Sequence, residues 1–199
     1  MEASGRFPVV SGGRNVVSKG RVRDQAPRAL VPKDTTARKI VMVHWYLDSP
    51  VGRLLLEGDG GLLHFIHFGG EPPPSPAPGS ISDQATFLEA IRQLTAYFAG
   101  ELKTFSLDLH LPGTPFQRKV WQALREIPYG QTASYGEIAR RIGNPGAARA
   151  VGGANHRNPI PIVIPCHRVI GADGRLTGFG GGLHVKEALL ALERRHLSD

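Results

Sequence analysis

The chain of 199 residues predicts a two-lobe α/β protein: a β-sheet with helices first, then a helical lobe carrying a helix-turn-helix. Three observations carry this. Residues 41–68 alternate between apolar runs and turn chemistry. Apolar residues recur at helical spacing from Phe87, and again from Thr114. Proline- and glycine-rich stretches separate these blocks. The implied organisation is a disordered basic tail over 1–39, an N-terminal α/β scaffold lobe over 40–111 and a C-terminal lobe over 112–199.

The first lobe reads as a β-meander. Ile40 to Leu47 is strand-like, Asp48-Ser49-Pro50-Val51-Gly52 has turn chemistry, and Arg53 to Glu57 resumes the strand pattern. Gly58-Asp59-Gly60-Gly61 is a second turn before Leu62 to Phe68. Residues 69–82 hold five prolines and read as a loop or linker. Phe87, Ile91, Leu94 and Phe98 then mark an amphipathic helix that Gly100 closes. Phe105 to Leu111 alternates like an edge strand. No chemical constellation stands out in this lobe, which reads as a scaffold.

From Thr114 the character changes. Thr114 is an N-cap candidate with Pro115 at the first helical position. Phe116, Val120, Leu124 and Ile127 line one face, and Pro128 stops the helix. Ser134-Tyr135-Gly136-Glu137 is a capping box opening a helix over Glu137–Ile142. Gly143-Asn144-Pro145 makes a tight turn, and Gly146–Asn155 is a second short helix. Two short helices across such a turn form a helix-turn-helix pattern, which many helical hairpins share. The second helix holds one cation, Arg149, among alanines and glycines. Those small residues permit close backbone approach, as in a minor groove with Arg149 as wedge, and equally permit tight packing on a neighbouring helix.

Composition sets outer bounds. A net charge of +7 makes a polyanionic partner plausible, but residues 1–39 hold nine Lys/Arg against three Asp/Glu, so the folded part is nearly neutral. Three readings of that tail stay open: a dispensable basic extension, translation starting at Met42, or an organelle transit peptide. No apolar run approaches the ~20 residues of a membrane span, and no signal-peptide core precedes the first lobe. The expected location is the cytoplasm and nucleoid of a prokaryote, or the nucleus of a eukaryote.

Cys166 is the single cysteine, so no disulfide forms within the chain. It lies in Asn158-Pro159-Ile160-Pro161-Ile162-Val163-Ile164-Pro165-Cys166-His167-Arg168-Val169-Ile170. Three prolines in seven residues exclude a regular helix or a central strand and put the thiol at a rigid bend. A free thiol titrates near ~8.5 and attacks only as thiolate, so a neighbouring base or cation is needed. His167 is the candidate, acting directly or through a water. On the last helix, behind the apolar face of Val185, Leu189 and Leu192, Glu193 either turns inward to orient that histidine or stays solvated in the last turn.

Pro165-Cys166-His167-Arg168-Val169 resembles the hallmark of the O6-alkylguanine-DNA alkyltransferases, also called methylated-DNA–protein-cysteine methyltransferases. Pro128-Tyr129-Gly130, Ser134-Tyr135-Gly136, Gly143-Asn144-Pro145, Ala148-Arg149-Ala150-Val151-Gly152, Asn158-Pro159 and Gly181-Gly182-Leu183 extend the likeness, in order, over about residues 42–195. The resemblance implies a ribonuclease-H-like N-terminal lobe and stoichiometric, irreversible transfer of an alkyl group from O6-alkylguanine, and from O4-alkylthymine, to Cys166. It implies that His167 takes the thiol proton through a water, that Glu193 orients His167 and that Asn158 braces the turn. Tyr135 would serve guanine N3 and press on the neighbouring phosphate, and Arg149 would fill the space of the flipped nucleotide. The carbonyls of Cys166 and Val169 would read the guanine amino group. Ala148, Gly152, Phe179, Gly180 and Lys186 complete the expected DNA- and substrate-binding set.

The implied partner is double-stranded DNA, entered through the minor groove with the damaged base flipped, and the protein is expected to act as a monomer without membrane association. With one cysteine, the zinc site of some relatives is not expected, and neither is any other metal or cofactor. Phe179 and Gly180 stand where some relatives carry Tyr and Ser near O6, which leaves a backbone N–H at Gly180 to reach that atom. The Gly180-Gly181-Gly182 loop is expected to admit larger alkyl groups. Two other readings compete: a non-catalytic alkyltransferase-like lesion binder, disfavoured by the presence of Cys166, and a cysteine hydrolase, for which no oxyanion-hole motif is visible.

Overall fold

A computed structural model describes residues 41–70, 72 and 74–197. The basic tail and its competing readings lie outside the described residues, as does Ile40. The strands are β1 (Val43–Leu47), β2 (Leu54–Gly58), β3 (Leu63–Phe68) and β4 (Ile81–Ser82), in the order β3-β2-β1-β4. β1, β2 and β3 form the expected antiparallel meander, while β4 runs parallel to β1. Leu54 and Leu56 of β2, the interior strand of the meander, enter the core together with Val43, Leu63 and Ile66. Leu55, on the opposite face of the strand, is buried as well, so β2 is covered on both faces.

Two expectations in this region are corrected. The segment after β3 is not a free linker. Ala77 N–H donates to the buried carboxylate of Glu57 at 2.7 Å, Tyr46 Oη donates to the Pro74 carbonyl at 2.7 Å, and the segment ends in β4. Residues 105–111 do not form a strand. Only Leu109 bridges to Leu63, through bonds from Leu63 N–H to the Asp108 carbonyl and from His110 N–H to the Leu63 carbonyl. Alternation there reflects a half-buried extended run with a partner at one position.

Helix α1 (Leu88–Phe98) follows a 3-10 turn over Ala85–Phe87 and buries Leu94 and Tyr97. Helix α2 (Pro115–Arg125) begins with Thr114 as N-cap. Its side chain accepts from Gln117 N–H while the Gln117 side chain accepts from Thr114 N–H, a reciprocal box that adds to the Pro115 signal. β5 (Ala133–Ser134) runs directly into α3 (Tyr135–Arg141), capped the same way by Ser134 and Glu137. Gly143, at φ +75°, makes the left-handed turn toward α4 (Ala148–His156). α4 packs on α2, and Trp121 Nε1 donates to the Ala154 carbonyl at 2.9 Å. A 3-10 turn over Cys166–Arg168 leads to β6 (Val169–Ile170), parallel to β5, and α5 (Leu183–Arg195) closes the chain.

The division at residue 111 does not separate two cores. The described residues form one compact unit, and a continuous apolar cluster runs from Leu54 and Leu94 through Val120 and Ile138 to Ile164 and Leu189. Backbone crosses the division too: Ile66 N–H of β3 donates to the Pro159 carbonyl at 2.9 Å. Among the described residues, no helix is long and apolar enough to cross a membrane.

Gly181 marks where the loop before α5 touches the sheet. A Cβ at this position would stand 2.8 Å from ring carbons of Phe68. Gly181→Ala should therefore lower stability by about 1–3 kcal/mol, the usual cost of overpacking. A chemical-denaturation midpoint measures this, and an unchanged midpoint would contradict the contact.

Candidate active site

The cysteine segment is a tight, braced turn. Ile162 adopts φ +74°, a conformation that costs a β-branched residue on the order of 1–3 kcal/mol. Asn158 offsets this locally. Its Nδ2 donates to the Ile164 carbonyl at 2.8 Å and to Cys166 Sγ at 3.1 Å, and its Oδ1 accepts from Ile160 N–H at 3.1 Å. One side chain thus fixes both ends of the turn and the sulfur itself.

Cys166 sits in the wall of a cavity of about 280 Å³. Ile66, Phe68 and Pro74 line it from the sheet side, and Asn155, Phe179 and Gly180 from the other. Burial pushes the thiol up to about 11, against the smaller opposing pulls of the Asn158 hydrogen bond and the Lys186 charge. The resting sulfur is therefore a protonated thiol. A base that takes the thiol proton thus works against burial.

His167 is fully buried, and its Nε2 lies 2.8 Å from Glu193 Oε1. Glu193 turns inward, which settles the choice that spacing left open. Its Oε1 also accepts from Tyr97 Oη at 2.8 Å and from Arg168 Nη2 at 2.8 Å. Its Oε2 accepts from Gly130 N–H at 2.8 Å and from Arg168 Nε at 3.0 Å. Burial pushes Glu193 up, but hydrogen bonds and charge from His167 and Arg168 together outweigh it and hold the carboxyl at about 2. Burial pulls His167 down, outweighing the contrary effect of Glu193, and Arg168 and Lys186 pull the same way as burial. A neutral imidazole beside an ionised carboxylate donates from Nε2, so Nδ1 carries the lone pair. Nδ1 is buried and has no hydrogen-bond partner among the described residues.

The other predicted residues divide. Tyr135 opens α3, and its hydroxyl lies 2.8 Å from Thr177 Oγ1. A Cβ on Gly152 would stand 3.7 Å from its ring, so α3 and α4 meet there. Pairing of β5 with β6 sets Ser134 beside Ile170, joining the start of α3 to the cysteine segment. Arg149 is exposed near the start of α4 beside half-buried Ala148. Phe179 packs edge-on against His167, with ring centroids 6.5 Å apart, and against Phe68 at 5.3 Å. A Cβ on the exposed Gly180 would meet nothing within 4 Å.

Lys186 is a correction. It was expected to face DNA or substrate, yet it is fully buried, and its Nζ donates to the carbonyls of Val169 at 2.6 Å and Thr177 at 2.9 Å. The ammonium ties two backbone segments together. It also already occupies one acceptor site of the Val169 carbonyl that was expected to read the guanine amino group.

Sequence reading missed Arg168, which also donates to the Ile127 carbonyl at 2.7 Å, and it missed Gly130 and Tyr97. A signal for Tyr97 existed. It follows Leu94 by three residues on the buried face of α1, and a buried tyrosine hydroxyl requires a partner.

Comparisons with known proteins agree over residues 42–195. Residues 42–111 match the family description "6-O-methylguanine DNA methyltransferase, ribonuclease-like domain", and residues 115–195 match "6-O-methylguanine DNA methyltransferase, DNA binding domain". A methylated-DNA–protein-cysteine methyltransferase of Mycobacterium leprae is 54% identical over 151 residues, 76% of this chain and 92% of that one. One from Methanosarcina acetivorans is 54% identical over 153 residues, 76% of this chain and 98% of its own. The crystal structure of Mycobacterium tuberculosis OGT in complex with DNA superposes with a TM-score of 0.72 at 52% identity, covering 77% of this chain and 93% of that one.

The buried network sets the acid limb of stability. Both His167 and Glu193 lie below their ordinary values, so the unfolded chain binds the extra protons. Stability is full above the unfolded His value of 6.5, falls as His167 is driven to protonate, and falls again as the pH drops from 4.5 toward about 2. The Glu193 share is on the order of 3 kcal/mol. Denaturation midpoints across pH 3–8 measure the fall, and a flat profile would contradict the assigned protonation states.

Proposed function

The chain belongs to the methylated-DNA–protein-cysteine methyltransferase family, and on that premise we propose that Cys166 receives the alkyl group from O6 of guanine in DNA, once per molecule. The observation that carries this reading is the placement of the thiol in a cavity wall, braced by Asn158 and followed by a His167–Glu193 pair whose free Nδ1 is a base. The Cys166 proton passes to His167 Nδ1, through one water where the gap requires it. The sulfur forms a bond to the alkyl carbon as the C–O6 bond breaks, and that electron pair stays on the guanine. The thiol proton, returned from His167, completes the neutral base. The thioether offers no leaving group for hydrolysis, so the protein is spent. The same geometry would accept O4-alkylthymine.

The DNA contacts belong to this proposal. The α3–turn–α4 pair reads as the helix-turn-helix, with α4 against the minor groove, where its small residues allow close approach and the exposed Arg149 fills the gap of an extruded nucleotide. Extrusion costs a few kcal/mol, less for a poorly paired damaged base. Tyr135, Phe179 and the Gly180 N–H then surround the base. Donors at N3 and O6 stabilise charge that develops only as the bond breaks. The sheet order β3-β2-β1-β4, with β4 parallel to β1, supports a ribonuclease-H-like reading of the first lobe. Open space at Gly180 supports room for alkyl groups larger than methyl. We read the protein as acting as a monomer. A non-catalytic lesion binder is the lesser reading, since it has no use for a braced thiol.

Incubation with a duplex carrying O6-methylguanine, followed by intact-protein mass measurement, should show one CH2 gained on Cys166 and never a second. Binding without gain would overturn the reading in favour of a lesion binder. Cys166→Ala should abolish transfer and retain duplex binding. Arg149→Ala should slow repair in duplex DNA by about tenfold, the scale of 1–2 kcal/mol, yet leave reaction with free O6-alkylguanine base nearly unchanged. Equal losses on both substrates would remove the wedge from the mechanism.

A further inference from the structure

We propose that Tyr97, on α1 of the sheet lobe, is a positioning residue for the transfer: its hydroxyl fixes the Glu193 carboxylate and thereby sets how strongly His167 takes the Cys166 proton. This rests on the functional reading above and assigns chemistry to a lobe that the sequence presents as scaffold. Tyr97 is fully buried. Its ring is clamped by Phe98 and Phe105, each with centroids 5.4 Å away, and meets Tyr129 edge-on at 6.0 Å. Packing alone would be served by phenylalanine. The hydroxyl instead donates to Glu193 Oε1 at 2.8 Å, the same oxygen that holds His167 Nε2, and lies 3.5 Å from that nitrogen.

The neighbouring hydroxyl shows the difference. Tyr129 packs in the same aromatic group, yet its Oη has no hydrogen-bond partner among the described residues. Burying a hydroxyl without a partner is unfavourable, and burying one against a carboxylate is not. Tyr97 thus adds a neutral donor to an oxygen shared by His167 and Arg168. A donor on Glu193 disperses its charge and weakens its pull on the imidazole. Without that donor, the carboxylate holds imidazolium more tightly, His167 protonates at higher pH, and Nδ1 loses its lone pair there. The other ionisable groups around the pair are Arg168 and Cys166 on the 3-10 turn, Lys186 on α5, and Tyr129 with Lys103 over its ring. Tyr97→Phe leaves all of them in place.

The test is the single-turnover rate of transfer from an O6-methylguanine duplex as a function of pH, read by intact mass. Failure of the wild type to gain mass would sink the functional reading itself. With the wild type active, the diagnostic readout for Tyr97→Phe is the pH dependence of transfer and not its plateau rate, because a more basic His167 takes the thiol proton less steeply uphill once it is neutral. The acid limb of its profile should move to higher pH, with duplex affinity unchanged. A lower thermal midpoint and an unmoved acid limb would reduce Tyr97 to packing and overturn the proposal. A second variant covers the case of poor folding: 3-fluorotyrosine at position 97 alone keeps the shape and strengthens the donor, and should move the limb to lower pH. An unmoved limb in that variant would equally overturn it.

Discussion

The Glu193 carboxylate is the constraint on which the rest of the molecule depends. Removing a carboxylate from water costs several kcal/mol even after relaxation, and the loss is recovered only if its lone pairs are filled. Here they are filled by donors from four places in the chain: Tyr97 on α1, Gly130 after α2, and His167 and Arg168 on the turn that carries the cysteine. None of these can be withdrawn without exposing the charge. α1, α5 and the cysteine segment are therefore obliged to dock together, and a formed site is the same event as a formed core.

Strain is handled in the same economical way. The left-handed Ile162 forces the chain to double back just before Cys166, and Asn158 ties that reversal at three points. The edge of the sheet adds a fourth, from Ile66 to Pro159, and β6 adds another by pairing with β5. The position of the sulfur is thus set by backbone on both sides. Lys186, tying Val169 to Thr177, extends this rigidity into the loop that faces the cavity from the other side.

Local chemistry was legible in the sequence, and long-range pairing was not. The Ser134–Glu137 capping box acts over three residues and could be read directly, as could Thr114 as an N-cap, the proline-fixed bend and the helical face of Val185 and Leu189. β4 is two residues long and pairs with β1 across an intervening meander, so no periodicity announces it. The inward turn of Glu193 depends on Arg168 and Tyr97, 25 and 96 residues away, and spacing on one helix cannot report either partner. Lys186 misled for a related reason. A lysine beside an apolar stripe ordinarily snorkels to solvent, and it is buried here because two carbonyls from separate segments meet at its ammonium.

The protonated thiol looks at first like an obstacle, and its energetics favour a single-use reaction. A sulfur held near pH 11 is almost entirely S–H at neutral pH, so stray oxidants and electrophiles find little thiolate. Its thiolate, when formed, is intrinsically more nucleophilic than one of low pKa, because nucleophilicity rises with basicity. Burial raises the thiol and lowers His167, so transfer of the proton between them is uphill and thiolate does not accumulate in waiting. The uphill step is worth taking only when an alkyl carbon lies in line with the sulfur and the C–S bond forms as the proton departs. An enzyme that turns over repeatedly gains from a poised thiolate. A protein that is consumed by one event gains from a sulfur that becomes reactive only when its target is seated, and the burial that raises Cys166 supplies that selectivity.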